Sequence, residues 1–401
     1  MIKRPEFDLA KLLAPVSGAT FLQEYWEEKP LLISRDQSDY YASLLTLDEI
    51  DPLVTVLPPD TVLVVNSDKP VEVADMTRGG TVAAGASLDV VKACQLFAGG
   101  GTIIIRDAHE RVATLAKLCR SLEREVGAPV KTNLYMTPAH GKGFDTHYDT
   151  HDTILLQLAG SKEWSIFDSP VRLPLANQHH APSEHKPNGA PTMCFVLHAG
   201  DFLYIPRGFL HHGRSCDDTS LHATLGVWSY RWADVFLEAM AQLCLSDPAF
   251  RRALPIGFGR ADFDLDRARK IFADLVSRVP GQANVDPVLR RLADEFIVGR
   301  RAVVLGQLKQ VAAAQALSLD DEIGVRPNVI FGLYREGGLV RIRAHGRDIQ
   351  LPAAADDAVS FALANERYRV RALPGDIDDD DRLTIAKRLI EEGVLWKLAI
   401  G

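Results

Sequence analysis

The chain has 401 residues and a formal net charge of −8, because 53 aspartates and glutamates outnumber 45 lysines and arginines. This length predicts two or three domains, and the acidic balance argues against a protein that binds nucleic acid over its whole surface. The five cysteines are odd in number, widely spaced and never in a Cys-x-x-Cys pair, which argues against a disulfide scaffold and a zinc finger. Acidic residues follow Met1 too early for a secretory signal peptide, and no apolar run reaches the ~18 residues of a membrane span. We therefore predict a reduced, cytoplasmic protein.

The N-terminal third is predicted to be mainly helical. Helical spacing of apolar residues covers residues 7–28 and recurs at 88–97 and 111–126. The runs Val62–Asn66 and Thr102–Ile105 are short and rich in β-branched residues, which is typical of buried strands.

Between residues 131 and 230 the pattern changes to short β-rich runs separated by Gly, Pro and Asp. Two turns, centred on Gly160 and Gly200, each lie between two such runs and predict two β-hairpins. The predicted strands are Ile154–Leu158 with Glu163–Phe167, Met193–Leu197 with Phe202–Ile205, and a further strand at Leu221–Tyr230. Several short strands with regular turns indicate a sandwich or barrel.

From Arg231 the apolar period is that of a helix. The apolar stripe consists of Trp232, Val235, Phe236, Ala239, Met240 and Leu243. Further helices are predicted at 264–279, 288–299, 303–317, 355–364 and 378–392, and a hairpin at Leu339–Ala344 with Arg347–Leu351.

The histidines are concentrated in the β-rich region, where ten of the twelve lie. His147 and Asp149 are separated by one residue, so on a strand both project from one face and can bind the same metal ion. An oxygen-activating iron site of two histidines and one carboxylate needs a third ligand and leaves open coordination positions. His151 shares that face, but three such residues spread over about 13 Å of strand.

The third ligand is expected from another strand. His211 and His212 follow the turn Pro206-Arg207-Gly208, and as strand neighbours they face opposite sides, so only one of them can bind. The spacing by itself leaves open that these histidines are solvated or hydrogen-bonded side chains without a metal.

Five further motifs follow one another along the chain: Tyr25–Leu31, Asn133–Pro138, Gly143–Asp149, Leu155–Trp164 and Gly200–His211. In this order they resemble the JmjC/cupin ribosomal oxygenases, which are Fe(II)- and 2-oxoglutarate-dependent protein hydroxylases. The resemblance spans most of the chain and is strongest over residues 133–224. It implies an α+β fold with a double-stranded β-helix (jelly-roll, cupin/JmjC) core, a helical dimerisation region and a winged-helix-like C-terminal domain. The implied boundaries are 1–230, 231–320 and 321–401.

The resemblance also implies roles for individual residues. His147, Asp149 and His211 are the Fe(II) ligands by this analogy, and Lys162 pairs with the distal carboxylate of 2-oxoglutarate. Asn133, Tyr135 and Thr224 match positions that hydrogen-bond the cosubstrate, with O2 as the second cosubstrate.

The position of Lys162 on its strand also predicts, independently of the resemblance, that it binds an anion. On a strand it shares one face with Trp164 and Ile166, and a cation on an apolar inner face needs an anionic partner. Without the family, a surface lysine near a turn is the simpler interpretation. Lysine is what the histidine-hydroxylating eukaryotic relatives carry at this place, whereas the bacterial arginine-hydroxylating members carry arginine.

The remaining histidines are assigned structural or peripheral roles. His212 is expected to face outward or to lie behind the metal ligands. His222 is expected to be an ordinary buried histidine, with a place in the pocket as the alternative. The loop from His179 to His185 is predicted to lie on the surface near the mouth of the site, where it can contact substrate without binding a second metal.

The resemblance implies hydroxylation of a protein side chain, a histidine or arginine of a basic ribosomal protein, by a homodimeric enzyme. The alternatives are a hydroxylase of a natural-product precursor peptide or RNA, and a non-catalytic metal-binding cupin whose C-terminal domain binds DNA or protein. Four aspartates, Asp378–Asp381, open the last predicted helix, which argues against DNA binding. The positive charge of the C-terminal hairpin comes from Arg335, Arg341, Arg343 and Arg347.

Overall fold

A computed structural model describes residues 7–66, 69–71, 73–78 and 87–399. The N-terminal residues 1–6, on which the prediction that there is no signal peptide partly depends, lie outside the described residues. Within the described ranges, no helix combines the length and the apolar character needed to cross a bilayer.

The helices and strands of these ranges have the following bounds. The helices are α1 (Leu9–Leu13), α2 (Gly18–Thr20), α3 (Ile50–Val56), α4 (Val90–Ala98), α5 (Ala113–Val126), α6 (Trp232–Ser246), α7 (Leu265–Gln282), α8 (Val285–Val298), α9 (Gln307–Ala314), α10 (Asp356–Ala364) and α11 (Asp379–Glu391). The strands of the first two thirds are β1 (Leu31–Ile33), β2 (Val62–Asn66), β3 (Lys69–Pro70), β4 (Thr77–Arg78), β5 (Ser87–Leu88), β6 (Thr102–Ile105), β7 (Val130–Thr137), β8 (Asp152–Ala159), β9 (Ser161–Ile166), β10 (Met193–His198), β11 (Phe202–Ile205), β12 (His211–Ser215) and β13 (Ser220–Val227). The C-terminal strands are β14 (Glu322–Val325), β15 (Phe331–Glu336), β16 (Leu339–Ala344), β17 (Arg347–Pro352), β18 (Tyr368–Arg369) and β19 (Leu395–Lys397).

Two facing sheets form the core. The larger sheet has the strand order β1-β11-β8-β13-β7-β6-β2-β3, and the smaller has the order β10-β9-β12. Leu155, Trp164 and Leu203 belong to a buried apolar cluster that fills the space between the sheets. Ile154 and Leu156, on the other face of β8, join the main core, which also includes residues of α1 and α5. Both faces of β8 are therefore covered, which explains its nearly continuous apolar sequence.

The two predicted hairpins are wrong in their pairing, although all four predicted strands exist. β8 pairs with β11 and β13, whereas β9 pairs with β10 and β12. Gly160 and Gly200, with φ of 63° and 95°, turn the chain from one sheet into the other instead of folding it back on itself. Short apolar strands with a glycine turn have the same local sequence in both arrangements, so only packing between the sheets distinguishes them.

The predicted helix over residues 7–28 is divided. α1 ends at Leu13, and the chain resumes with α2 and a π-helical segment, Phe21–Tyr25. Pro15 explains the break, since it lacks the amide hydrogen that a helix interior requires.

The chain after the core consists of four helices and a small α+β unit. α6 to α9 occupy residues 232–314, and α8 packs against β15 and β16. The predicted hairpin around His345-Gly346 is present as β16 and β17, with Ala344 opposite Arg347. β15, β16 and β17 form one three-stranded sheet, and β14, β18 and β19 form another, with α10 and α11 completing their core.

Candidate functional site

Three predicted metal ligands come together at one end of the space between the sheets. One ligand atom from each of His147, Asp149 and His211 lies within 4.8 Å of the other two, which is the spacing expected around a single ion. The Nε2 atom of His211 is 3.7 Å from Oδ2 of Asp149, and the imidazole centroids of His147 and His211 are 4.7 Å apart. The two histidines also form an isolated antiparallel bridge between their backbones.

The strand assumed for His147 and Asp149 is not present. The segment before β8 forms no ladder, and its position is fixed by the bridge to His211 and by a hydrogen bond from Gly208 N–H to the Asp149 carbonyl (3.0 Å). The side chains converge because the segment lies across the first residue of β12, which supplies His211 from the smaller sheet.

Backbone carbonyls orient both imidazoles. Nδ1 of His147 is 2.7 Å from the Asp145 carbonyl, and Nδ1 of His211 is 3.0 Å from the Phe209 carbonyl. A carbonyl oxygen can only accept, so each Nδ1 carries the proton and each Nε2 presents a free lone pair. Fixing the tautomer in this way is the usual preparation of a histidine ligand.

The electrostatics of the three residues suit a dication. Burial raises the pKa of Asp149, but the positive charges of His151, His147 and His211 outweigh it, so the pKa lies below its ordinary value. Burial and the charge of His147 lower the pKa of His211 to about 4. At neutral pH the set therefore contains a carboxylate and an uncharged buried imidazole, the protonation states that metal binding requires.

The three ligands line a cavity of about 360 Å³. Its inner part contains Lys162, whose side chain is 4% exposed. The Lys162 ammonium is 3.4 Å from Oγ1 of Thr137 and 5.5 Å from the ring centroid of Trp164. Burial lowers the pKa of Lys162 to about 7. As predicted, Lys162 shares a buried face of β9 with Trp164 and Ile166.

The other predicted cosubstrate residues lie on two paired strands of the larger sheet. Asn133 and Tyr135 on β7 face Thr224 and His222 on β13, with Thr224 opposite Asn133 and His222 opposite Tyr135. All four line the cavity. Asn133 also accepts a hydrogen bond from the Asp107 amide (3.0 Å) through Oδ1, which fixes one end of its amide group.

His222 lines the cavity, so the alternative prediction for this residue, a place in the pocket, is the one that the structure supports. Its ring is parallel to that of Tyr135, with centroids 4.9 Å apart, and its Nδ1 is buried without a hydrogen-bond partner among the described residues. Burial and the nearby charge of Lys162 lower the pKa of His222 well below its ordinary value. Burial and the charge of Asp149 raise the pKa of Tyr135 to about 12.

The remaining histidines surround the ligand set. His212 is half-buried, and its Nδ1 is 2.9 Å from Oγ1 of Thr146. His151 lies outside the closely spaced set of three and contacts Trp228 with ring centroids 4.4 Å apart. His185 lies within 3.3 Å of the hydroxyl of Tyr148, the residue between His147 and Asp149, so the histidine loop is anchored beside the site.

Sequence reasoning missed two aromatic residues of the cavity wall. Trp228 and Phe144 both line it, and Trp228 is 36% exposed. Alternation along the chain could have identified Trp228, because it follows the pocket-facing Thr224 and Gly226 at two-residue intervals. Phe144 carries no such signal, since it lies in a loop.

Part of the chain is similar to a known protein family. The family model described as the JmjC domain matches residues 108–235. Ribosomal oxygenase 1 of Danio rerio is 28% identical over 71% of this chain and 55% of its own length. A Drosophila persimilis protein named bifunctional lysine-specific demethylase and histidyl-hydroxylase NO66 is 26% identical over 96% of this chain and 62% of its own length. The chain thus spans less than two thirds of either relative.

A solved structure gives the same fold. YcfD, a ribosomal oxygenase from Escherichia coli in complex with cobalt and 2-oxoglutarate, aligns with a TM-score of 0.52 and 16% sequence identity, covering 96% of this chain and 99% of that one. The predicted JmjC/cupin core is therefore confirmed. The dimerisation role of 231–320 and the winged-helix likeness of 321–401 remain predictions.

Proposed function

We propose that this chain, which carries a JmjC domain at residues 108–235 and is a relative of the ribosomal oxygenases, is an Fe(II)- and 2-oxoglutarate-dependent oxygenase that hydroxylates a protein side chain. One observation supports this most strongly. A facial set of two histidines and one carboxylate shares a cavity with a buried lysine that has no carboxylate partner among the described residues.

The donor set fits iron. His147, Asp149 and His211 would hold it, since two imidazoles and one carboxylate are the ligands of non-haem Fe(II) oxygenases and leave positions for a cosubstrate and oxygen. Bound there, iron would supply the activation of O2 for the overall reaction, in which 2-oxoglutarate, O2 and a C–H group give succinate, CO2 and C–OH.

The protein's own contribution is to bind and orient the cosubstrate. Lys162 would place its ammonium on the distal carboxylate of 2-oxoglutarate, and this pairing would satisfy a cation that is otherwise buried at a cost. Asn133, Tyr135 and Thr224 would donate hydrogen bonds along the cosubstrate from β7 and β13. Trp164 would exclude water from the inner wall, which strengthens each of these polar contacts.

The substrate we propose is a histidine or arginine of a basic ribosomal protein. Two relatives are named ribosomal oxygenase or histidyl-hydroxylase, which supports a protein target. The net charge of −8 favours association with a basic partner. We further propose that the enzyme acts in the cytoplasm.

The DNA-binding alternative has little support from the C-terminal unit. Each of its four predicted basic residues is paired with a carboxylate: Arg335 with Asp356, Arg341 with Asp348, Arg343 with Asp294, and Arg347 with Glu392. These carboxylates partly neutralise the four positive charges and so weaken their attraction to phosphates. We propose that this winged-helix-like unit has a structural or protein-binding role.

The test is the intact mass of every ribosomal protein from the native host, with the gene present, deleted, or replaced by the Asp149→Ala form. We expect one ribosomal protein to be lighter by a single oxygen atom in both the deletion and the Asp149→Ala strains. Fragment masses would then identify the residue. If no ribosomal mass changes, the ribosomal substrate is wrong; if Asp149→Ala retains full modification, the iron assignment is wrong.

A further inference from the structure

The N-terminal motif Tyr25–Leu31 packs against the barrel outside the cavity. The indole of Trp26 stacks on Tyr204 of β11, with centroids 5.7 Å apart and ring planes 13° from parallel. The next amide, that of Glu27, donates a hydrogen bond to the Tyr204 hydroxyl (2.8 Å). No residue of the motif is among the described residues that line the cavity, so its packing does not by itself connect it with the site.

Buried charges make that connection. Asp152, which is 0% exposed, accepts hydrogen bonds from the Tyr204 hydroxyl (2.9 Å), from Nη1 of Arg207 (2.8 Å) and from the Arg207 amide (3.3 Å). The same guanidinium forms an ion pair with the carboxylate of Glu27. Glu27, Arg207, Asp152 and Tyr204 thus form a closed ring of hydrogen bonds, hereafter the clamp.

The clamp joins the two segments that carry the proposed metal ligands. Asp152 begins β8 directly after the segment with His147 and Asp149, and Arg207 lies in the turn that leads to His211. The hydrogen bond from the Gly208 amide to the Asp149 carbonyl joins the same two segments, one residue after Arg207. A shift of Arg207 relative to Asp152 would therefore change the separation of the ligands.

The backbone of Glu27 is strained. Its φ of 62° lies in the left-handed region, which residues with a side chain seldom adopt. Such conformations persist where surrounding contacts over-determine them, and they are concentrated at functional positions. Here the Glu27 amide is held by Tyr204 and the Glu27 carboxylate by Arg207, so the strained conformation lets one residue make both contacts of the clamp.

We infer that Glu27, Arg207, Asp152 and Tyr204 are positioning residues that set the separation of the metal-ligand segments, so that the N-terminal motif contributes to metal affinity from outside the site. This rests on the proposed function, because it presumes a metal at His147, Asp149 and His211. Groups that orient ligands from behind typically change metal affinity ten- to a hundred-fold when mutated.

The test is titration of the metal-free, full-length protein with Co²⁺, followed by calorimetry and by the visible absorption of the bound ion. Glu27→Gln keeps the side-chain length and the backbone preference but removes the charge that faces Arg207. We expect it to weaken Co²⁺ binding about tenfold and to alter the absorption spectrum. Glu28→Gln is the matched control, since Glu28 pairs with Arg172 at the surface, with 56% and 66% of the two side chains exposed. It should bind Co²⁺ as the unmodified protein does.

Tyr204→Phe is a second variant, which retains an aromatic ring for Trp26 and removes only the hydroxyl shared by Glu27 and Asp152. It should weaken Co²⁺ binding in the same direction. Thermal melts of the metal-free variants separate a positioning role from a purely stabilising one. If the clamp only stabilised the fold, the variants would have a lower melting temperature but, while folded, an unchanged affinity for Co²⁺. That result for both variants would overturn the inference and leave the proposed function intact. If the unmodified protein fails to bind Co²⁺, both are overturned.

Discussion

At the scale of single residues, Lys162 is a buried cation without a carboxylate partner among the described residues. It is 4% exposed, and its ammonium contacts a threonine hydroxyl and the face of Trp164. Burial lowers its pKa to about 7, so the proton on this ammonium is held weakly until an anion arrives. A buried cation that awaits a partner is a binding group, not a stabilising one.

The first prediction concerns the pH dependence of 2-oxoglutarate binding to Co²⁺-loaded protein. Only the protonated lysine pairs with a carboxylate, so below pH 7 the affinity should be full. As pH rises through about 7, binding must also take up a proton, and Kd should rise about tenfold per pH unit. His222 and His211 do not contribute, because their lowered pKa values leave both rings neutral in this range.

Calorimetry between about pH 6.5 and 8.5 measures this directly. Lys162→Arg is the control, because a guanidinium stays charged over the whole range and its Kd should not follow the same curve. A Kd that is flat across this range in the unmodified protein would contradict the prediction.

The residues of the site were only partly predictable from the sequence. The roles of His147, Asp149 and Lys162 could be predicted from their spacing, from the two-residue period of a strand and from the family resemblance. Charged or metal-binding side chains are unusual on the inner face of a strand. The choice of His211 over His212 needed the resemblance, since neighbouring histidines look alike in a sequence. Asp152, in contrast, gave no sign of its part in the clamp, because its partners come from distant segments.

At the scale of the elements, the turns at Gly160 and Gly200 decide the architecture. A side chain at Gly160 would place its Cβ atom 2.1 Å from the Thr219 carbonyl oxygen, and one at Gly200 would lie equally close to that of Gln37. Both glycines combine a positive φ with close backbone approach, so each has two independent reasons to lack a side chain. The turn at Gly160 brings β9 opposite β8 and thereby places Lys162 across the cavity from the larger sheet.

The second prediction is that Gly160→Ala destabilises the protein by at least about 2 kcal/mol, through left-handed strain and the clash with Thr219. The free energy of unfolding from urea denaturation measures it. Gly127→Ala is a matched control, because Gly127 has nearly the same φ of 64° but nothing within 4 Å of the added carbon. Equal losses for the two variants would mean that strain alone acts at Gly160 and that the close approach is unimportant.

At the scale of the whole molecule, the helices after the core leave much apolar surface uncovered. Trp232, Phe236 and Leu237 on α6 are 66–71% exposed, and Phe272 on α7 is 70% exposed. α7 has no buried residue, although its sequence has the apolar period of a packed helix. Exposed apolar surface of this kind usually marks an interface. We propose that α6 and α7 mediate the homodimer expected for residues 231–320.

The third prediction follows from this surface. The double variant Phe236→Asp with Phe272→Asp should be a monomer, because each substitution would occur twice in a symmetric dimer and would place a charge in the buried interface. Light scattering coupled to size-exclusion chromatography measures the mass. Val56→Asp, at a residue that is 77% exposed on α3, should leave the dimer unchanged. A monomeric unmodified protein would refute the proposed assembly.

Properties that depend on residues close together in the sequence could be predicted from the sequence alone. Many strand and helix positions, the helical stripe from Trp232 and the His-x-Asp pair follow from local period and spacing. The ordered motifs added the jelly-roll core and the chemistry of the site.

Three other properties emerge only when the chain is folded: which strands pair, how His211 is brought to the His147 and Asp149 pair, and which residues Glu27 of the N-terminal motif contacts. Each of these depends on residues far apart in the chain, such as Glu27 and Arg207 or His147 and His211. A local sequence has the same appearance whether a glycine turn closes a hairpin or crosses between sheets. The choice is made by the burial of apolar faces on both sides of the larger sheet, a property of the folded whole.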